Sequence, residues 1–207
     1  MPTAPPAWND DNLRSVSEQI RSALFFAHVR ASTGTATSRA NCHPFRHGRW
    51  LFMHNGAIGG FEDIRREIDL MIPAALYRHR SGTTDSEALF LLLLANGLET
   101  DPAAAFATTM AAIVGTMAAA GIAAPLRVTA AATDGEEIVA LRYASDRQSP
   151  TLYYGHTEFD GGAQGQGAIL VLSEPLDSNP GHWVEVPDSH LLVAGDGAVA
   201  IEPFAPA

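Results

Sequence analysis

The sequence predicts a single domain of mixed α and β structure. Helix and strand patterns alternate in the first half of the 207 residues, and short apolar segments separated by turn residues follow in the second half. Apolar residues make up 46% of the chain and charged residues 17%, a globular composition in a chain long enough to bury a core. No internal repeat or long linker divides the chain, so we expect one domain over residues 1–207.

The first half of the chain alternates between helical and strand-like segments. Capping residues and short apolar runs set the expected boundaries. In order, we expect a helix capped by Asp10 or Asp11 and running to about Arg21, an apolar strand from Ala23 to Val29, a loop from Arg30 to Gly48, a strand from Trp50 to His54 that ends at Asn55-Gly56, and a helix from Phe61 to Leu70.

A capping-box pattern, Thr84-Asp85-Ser86-Glu87, precedes the next predicted helix. That helix covers Ala88 to Ala95 and is closed by Asn96-Gly97. Asp85 therefore lies in the first turn, where the helix dipole stabilises a negative charge.

One segment raises the question of a membrane span, because no charged residue lies between Asp101 and Arg127. The segment is mostly Ala, Thr and Gly, and alanine contributes little to membrane insertion. Asp101-Pro102 is a typical helix start and Gly121 a typical stop. We therefore expect a buried, Ala-rich core helix and no membrane association.

The second half is rich in predicted strands. Leu126 to Thr133 and Glu137 to Tyr143 flank the turn Asp134-Gly135, a hairpin pattern. Further short strands are expected at Thr151 to Tyr154, Ala168 to Ser173, Trp183 to Val186 and Leu191 to Val193, and a mobile loop at Gly161 to Gly167.

Charge and cysteine content limit the class of partner and the compartment. The formal net charge of −10 disfavours nucleic acid and anionic membrane surfaces, which attract cationic proteins. The single cysteine, Cys42, cannot form an internal disulfide and fits a reducing cytoplasm. The Pro-rich, polar start lacks the pattern of a secretory signal, so we expect a cytoplasmic protein that uses no cofactor.

Three sequence features together indicate a pocket for a free amino acid. Arg30 offers a planar fork for a carboxylate, and Asp85 can accept hydrogen bonds from an ammonium group. Asn55-Gly56 supplies a side-chain amide and an unhindered backbone N–H, which are typical parts of an oxyanion hole. The expected partner is a small-molecule substrate.

The motifs that carry these residues resemble those of the class II (N-terminal nucleophile) glutamine amidotransferases, in particular the stand-alone bacterial type. They are Phe26-Ala27-His28-Val29-Arg30-Ala31-Ser32-Thr33, Asn41-Cys42-His43-Pro44, Met53-His54-Asn55-Gly56 and Thr83-Thr84-Asp85-Ser86-Glu87. The resemblance implies that Arg30 binds the α-carboxylate of glutamine and that Asp85 binds its α-ammonium group. It also implies that Asn55 and Gly56 form the oxyanion hole. Thr33 and His43 would line the glutamine site. The resemblance also implies an αββα four-layer sandwich.

The sequence departs from the family at the nucleophile. In this family, a cysteine at the N-terminus attacks the amide and its own α-amine acts as the base. Here Met1 is followed by Pro2-Thr3-Ala4, so we expect a domain that is N-terminally incomplete and lacks its first strands. Cys42 lies inside a motif that matches the family as it stands, and a structural role explains it better than a nucleophilic one.

Several alternatives stay open at this point. Cys42, His43, His47 and His54 could ligate zinc, although their spacing fits no standard zinc site and no metal is expected. Arg30 and Asp85 could form a structural ion pair. The chain could be an incomplete glutamine amidohydrolase, a non-catalytic remnant that binds glutamine or a γ-glutamyl compound, or an interaction protein that keeps the fold. Ammonia could also pass to a separate synthase. We favour the incomplete hydrolase and expect the chain as given to be inactive.

Overall fold

Two antiparallel sheets and a set of helices that packs on the larger sheet make up the part of the chain that the structure describes. The computed structural model describes residues 10–29, 38–158, 167–179 and 181–207. Within these residues, the strands are β1 (Phe45–His47), β2 (Trp50–Ile58), β3 (Leu126–Thr133), β4 (Ile138–Ala144), β5 (Tyr153–Glu158), β6 (Gly167–Leu172), β7 (Val184–Glu185), β8 (His190–Gly195) and β9 (Ala198–Pro203). The helices are α1 (Asp11–Gln19), α2 (Phe61–Met71), α3 (Ala74–Tyr77), α4 (Asp85–Ala95) and α5 (Pro102–Ala119).

The larger sheet has six strands in the order β1-β2-β3-β4-β8-β9, and the smaller has three in the order β6-β5-β7. Central strand β3 is buried over most of its length, because helices cover one face of the larger sheet and the smaller sheet covers the other. Small residues allow both neighbouring layers to approach this strand closely: Ala130 and Ala132 face the core shared with the helices, and Ala131 packs against the core between the two sheets. The predicted α+β class with stacked antiparallel sheets is therefore confirmed.

The main core lies between the larger sheet and helices α2, α4 and α5. Phe52 of β2 stacks on Phe90 of α4 with ring centroids 5.3 Å apart and an interplanar angle of 3°. Both side chains are almost fully buried. A second, smaller core between the two sheets is built from Leu152, Val186 and Leu192. The sheet carrying the Asn55-Gly56 pair is thus anchored to α4 by aromatic packing.

The helix boundaries agree closely with those predicted from the sequence. Asp10 caps α1 by accepting hydrogen bonds from the backbone N–H groups of Asn12 and Leu13. Asp101 caps α5 in the same way through Ala104 N. Short polar caps determine these starts locally, which is why the sequence predicts them well.

The predicted strand from Ala23 to Val29 is wrong, since these residues form no ladder. Phe25 is 74% exposed and Val29 94% exposed. A strand requires a neighbouring strand for its backbone hydrogen bonds, and within the described residues this segment has none. Helix α1 likewise buries no residue, and the four-layer arrangement stays a prediction.

The region between residues 30 and 48, expected to be a loop, contains strand β1 and a 3₁₀ turn over Arg39–Asn41. Strand β9 and helix α3 were also not predicted. All of these elements are short, and β1 and β9 are edge strands, so their apolar periodicity is weak. Of the loop predicted over Gly161 to Gly167, residues 161–166 lie outside the described residues, and Gly167 is the first residue of β6.

Helix α5 is the uncharged segment discussed above. By length and composition it is long and apolar enough to cross a membrane. One side of it, including Phe106, Met110 and Ile113, is fully buried against the rest of the core. This packing is the arrangement expected of a core helix.

We expect Phe90→Ala to lower the free energy of unfolding by about 3–5 kcal/mol, because it leaves a cavity opposite Phe52. Phe25→Ala is the matched control and should change the value by less than about 0.5 kcal/mol, since that ring is exposed. Urea unfolding followed by circular dichroism measures both. Equal costs at the two positions would contradict the assigned core.

Candidate active site

A cavity of 740 Å³ opens between the two sheets, beside the N-terminus of α4. Its walls include residues 27–29, residues 53–58 of β2, residues 129–131 in the middle of β3, residues 83–86 and residues 171–174. A cavity of this size is in the usual range for small-molecule sites. Four of the residues predicted to form the substrate site line it, namely His43, Asn55, Gly56 and Asp85, and so does His54. Arg30 and Thr33 lie outside the described residues.

Asp85 is the first residue of α4 and joins that helix to β2. Its Oδ2 accepts a hydrogen bond from Ile58 N at 2.9 Å, and its Oδ1 accepts one from Ser86 N at 2.8 Å. Thr84 caps the helix by accepting from Glu87 N at 3.3 Å. The carboxylate is therefore fixed at the helix N-terminus, where the dipole favours its negative charge.

Asn55 and Gly56 lie within β2, so the prediction that the strand ends before them is wrong. They pair with Thr129 and Val128 of β3, and the strand continues to Ile58. The side chain of Asn55 is exposed toward the cavity and makes no hydrogen bond within the described part of the chain. An amide in this position is available to an oxygen atom of a ligand.

Gly56 has a backbone conformation and a packing environment that exclude a side chain. Its φ is +146°, and an added Cβ would lie 2.0 Å from Arg127 O and 2.8 Å from His54 Nε2. Residues i and i+2 of a strand face the same side, so a Cβ here would enter the space already filled by His54. Glycine is thus required at this position for steric reasons alone.

His54 lies buried behind the Asn55-Gly56 pair. Its Nδ1 is 2.9 Å from Ser86 Oγ, and its Nε2 is 3.4 Å from Arg127 O. A neutral ring that donates from Nε2 to the carbonyl and accepts the Ser86 hydroxyl at Nδ1 satisfies both contacts. Burial lowers the pKa of His54, and the nearby Asp85 charge opposes this shift to a smaller extent. His54 gives β2 a second connection to α4.

His43 lies on the cavity wall between two other rings. Its ring centroid is 4.2 Å from that of His28 and 4.7 Å from that of Phe45. His28 also lines the cavity, and we did not single it out from the sequence. Its place two residues before Arg30 in the first motif is the signal that could have identified it.

Cys42 lies apart from this constellation. The residue is exposed, its Sγ donates a hydrogen bond to Ser38 O at 3.3 Å, and it is not among the residues that line the cavity. The zinc alternative also receives no geometric support, because its four residues contact different partners. His43 packs on His28, His47 contacts His79, His54 bonds Ser86, and Cys42 bonds Ser38.

The capping box predicted at Thr84 forms only in part. Thr84 caps the helix as expected, but the Glu87 carboxylate bonds Ser81 N and Gly82 N, both at 2.7 Å, rather than returning to the backbone of Thr84. The capping-box pattern therefore correctly predicted that Thr84 caps the helix, but not the partners of the Glu87 carboxylate.

We expect Gly56→Ala to destabilise the fold by at least about 2 kcal/mol, because it combines an unfavourable φ with overlap on Arg127 O. The control is Gly115→Ala in α5, where nothing lies within 4 Å of an added Cβ. That change should be neutral or stabilise by up to about 1 kcal/mol. Thermal unfolding distinguishes them, and a fully stable Gly56→Ala protein would refute the packing described.

The buried His54 makes stability depend on pH. Its pKa is lowered in the folded state, so the unfolded chain binds a proton that the folded chain does not. The contribution of neutral His54 to the free energy of unfolding is therefore fully present above about pH 6.5. It is lost as the pH falls below this value, by at most about 1.4 kcal/mol per pH unit for this one group. We expect His54→Gln to flatten the pH dependence of unfolding, and the exposed His156→Gln control to leave it unchanged. Equal slopes for wild type and His54→Gln would contradict this.

Comparisons with known proteins identify the family of the chain. Residues 10–154 match the family described as class II glutamine amidotransferases. A glutamine aminotransferase class-II domain protein from Silicibacter pomeroyi has a solved structure that superposes with a TM-score of 0.82 at 43% identity, covering 98% of this chain and 84% of that one.

Two further relatives match nearly the whole chain. A probable glutamine amidotransferase of Saccharomyces cerevisiae is 31% identical over 96% of this chain, which spans 64% of the yeast protein's length. A γ-glutamyl-hercynylcysteine sulfoxide hydrolase of Mycolicibacterium smegmatis is 28% identical over 96% of this chain and 72% of its own length. The chain belongs to the class II glutamine amidotransferase family.

Proposed function

We propose that the cavity binds the glutamyl head group of glutamine or of a γ-glutamyl amide, for hydrolysis of the side-chain amide to glutamate. The observation that carries this proposal is the meeting of Asp85 with the Asn55-Gly56 pair on one cavity, with Ile58 N bonded to the Asp85 carboxylate at 2.9 Å. Asp85 on α4 offers a negative charge for an ammonium group, and Asn55-Gly56 on β2 offers donors for a carbonyl oxygen. The hydrogen bond between Ile58 and Asp85 joins these two elements.

Asp85 accepts the substrate ammonium in this proposal. Each of its oxygens already accepts one backbone N–H, from Ile58 and from Ser86. A carboxylate has about four acceptor positions, and because Ser86 Oγ also lies 3.4 Å from Oδ1, Oδ2 is the oxygen that keeps a lone pair for the substrate. The two existing bonds orient the group without saturating it.

Asn55 and Gly56 stabilise the oxyanion that forms when the amide carbon is attacked. The Asn55 amide is exposed to the cavity and has no internal partner within the described residues. Gly56 also lines the cavity, and its backbone N–H is proposed as the second donor to the same oxygen. Each donor in such a hole typically contributes a factor of about 100 to 1,000 in rate.

Arg30, Thr33 and His43 complete the head-group site by their family positions. Residues 27–29 line the cavity, and Arg30 is the next residue in the sequence. Its guanidinium is proposed to hold the α-carboxylate bidentately. His43, packed between His28 and Phe45, is proposed to form a wall beside the substrate.

The nucleophile is proposed to be a cysteine that is not part of these 207 residues. The chain has one cysteine, Cys42, which is exposed, bonded to Ser38 O and away from the cavity wall. In the proposed reaction, an N-terminal cysteine loses its proton to its own α-amine and attacks the amide carbon. Ammonia or an amine leaves with a proton, and water then hydrolyses the thioester to glutamate.

The leaving group stays open between ammonia and a larger amine. The mycobacterial relative is described as a hydrolase of a γ-glutamyl compound, which favours a γ-glutamyl amide. Transfer of ammonia to a separate synthase is the alternative for a glutamine substrate.

The second candidate function is binding without turnover, which the absence of a thiol among the described cavity residues favours. The cytoplasmic location also stays a prediction.

We expect the 207-residue chain to release no glutamate from glutamine, because our proposal assigns both the nucleophile and the base to a cysteine other than Cys42. Adding the in-frame upstream segment, if it begins Met-Cys, should restore activity and improve solubility. Glutamate release is measured for both forms, with Cys42→Ala as control. Turnover by the 207-residue chain that disappears in Cys42→Ala would overturn this and make Cys42 the nucleophile.

We expect Arg30→Ala and Asp85→Asn each to weaken glutamine binding by about 30-fold to several-thousand-fold, since each leaves a desolvated charge without its partner. Arg30→Lys should recover only part of the loss, because a point charge cannot bind both carboxylate oxygens in the same way. Calorimetric titration measures the affinities, and the exposed Arg66→Ala is the control. Wild-type affinity in folded Arg30→Ala would refute the head-group assignment.

A further inference from the structure

A buried charged network lies directly beneath the residues that lead into Asp85. The side chains of Arg80, Asp69 and Glu87 are 4%, 15% and 6% exposed. Arg80 Nε lies 3.0 Å from Asp69 Oδ1, and Arg80 Nη1 lies 3.6 Å from Glu87 Oε2. Buried ion pairs are often no more stabilising than apolar residues of the same volume, so stability alone does not account for this one.

Glu87 uses its carboxylate to hold the preceding loop. Its Oε1 accepts from Ser81 N and its Oε2 from Gly82 N, both at 2.7 Å. These are short, charge-assisted hydrogen bonds, which are stronger than bonds between neutral groups. Glu87 thus binds both backbone N–H groups at once and fixes the turn that they form.

The rest of the loop is held by two other side chains. Asn41 Oδ1 accepts from Thr83 N at 2.9 Å, and Asn41 Nδ2 donates to Thr83 Oγ1 at 3.3 Å. Arg80 Nη1 donates to Thr84 O at 3.1 Å. Every residue from 81 to 84 therefore has a backbone group bonded to a side chain of Asn41, Arg80 or Glu87.

None of these three side chains lines the cavity, whereas Thr83, Thr84 and Asp85 do. We propose that Glu87, supported by Arg80 and Asn41, is a positioning residue that fixes loop 81–84 and so aims the Asp85 carboxylate at the substrate ammonium. This rests on the proposed function, because the ammonium role of Asp85 does. A pre-oriented carboxylate binds a cation without the cost of ordering its loop.

The first test measures the loop without a ligand. Glu87→Gln keeps the shape of the side chain but replaces one acceptor oxygen with an NH₂ donor, so one of the two loop amides loses its acceptor. We expect hydrogen exchange at Ser81 and Gly82 to become about 10-fold faster or more, with α5 amides unchanged. Glu67→Gln on the exposed face of α2 is the matched control.

The second test measures selectivity for the ammonium group. The affinity ratio between glutamine and N-acetylglutamine reports how well Asp85 is aimed, because only the first carries the cation. We expect this ratio to fall by about 10-fold in Glu87→Gln and to stay at the wild-type value in Glu67→Gln. Ile113→Val lowers core stability without touching the loop, so it should leave the ratio unchanged.

The two measurements together decide the inference. Faster exchange at residues 81–82 with a reduced ratio supports it. Unchanged exchange, or faster exchange with an unchanged ratio, overturns it. Failure of the wild-type chain to bind either compound overturns the proposed function instead, and the ligand-free exchange result distinguishes that failure from a failure of the loop network.

Discussion

The hydrogen bond from Ile58 N to the Asp85 carboxylate is the contact on which the geometry of the site depends. Ile58 is the last residue of β2 and Asp85 the first of α4, so this one bond joins the end of a strand to the start of a helix. The bond between His54 and Ser86 makes the same connection on the buried side. Two links between two rigid elements fix both their separation and their rotation, which one link alone would not.

This double link determines the relation between the Asn55-Gly56 pair and Asp85. Along β2, His54 faces the helices and Asn55 faces the cavity, as the alternation of a strand requires. The next residue would again face inward, where His54 Nε2 and Arg127 O leave no room for a Cβ. The same packing that connects β2 to α4 therefore explains both the histidine and the glycine of this motif.

The sequence predicted the helices well because their starts depend on local bonds. Asp10, Thr84 and Asp101 cap helices through their own side chains, and each start could be identified within a few residues. Strand limits depend on the partner strand instead. Asn-Gly is a common turn signal, yet β3 extends far enough to pair with both residues, so β2 continues past them.

Apolar content alone was also misleading for the segment from Ala23 to Val29. Its pattern indicates burial in a sheet, but the described residues provide no neighbouring strand, and Phe25 and Val29 are exposed. For the site, four of the residues predicted from the motifs, His43, Asn55, Gly56 and Asp85, line one cavity, and their roles stay predictions. The parts that the sequence did not reveal, including the Glu87 bonds to the loop, join groups whose pairing depends on how the loop folds.

The balance of charge near the start of α4 gives a physical reason for the ligand that we propose. Asp69, Glu87 and Asp85 are gathered here; Arg80 contacts the first two, and Arg65 Nε lies 3.9 Å from Asp69 Oδ2. The helix N-terminus offsets part of the remaining negative charge, and the backbone N–H groups of Ser81, Gly82 and Ile58 offset more. An ammonium group at Asp85 would complete this balance, whereas an anion there would be repelled. A zwitterionic amino acid would also need a donor for its carboxylate, which is the role that we propose for Arg30.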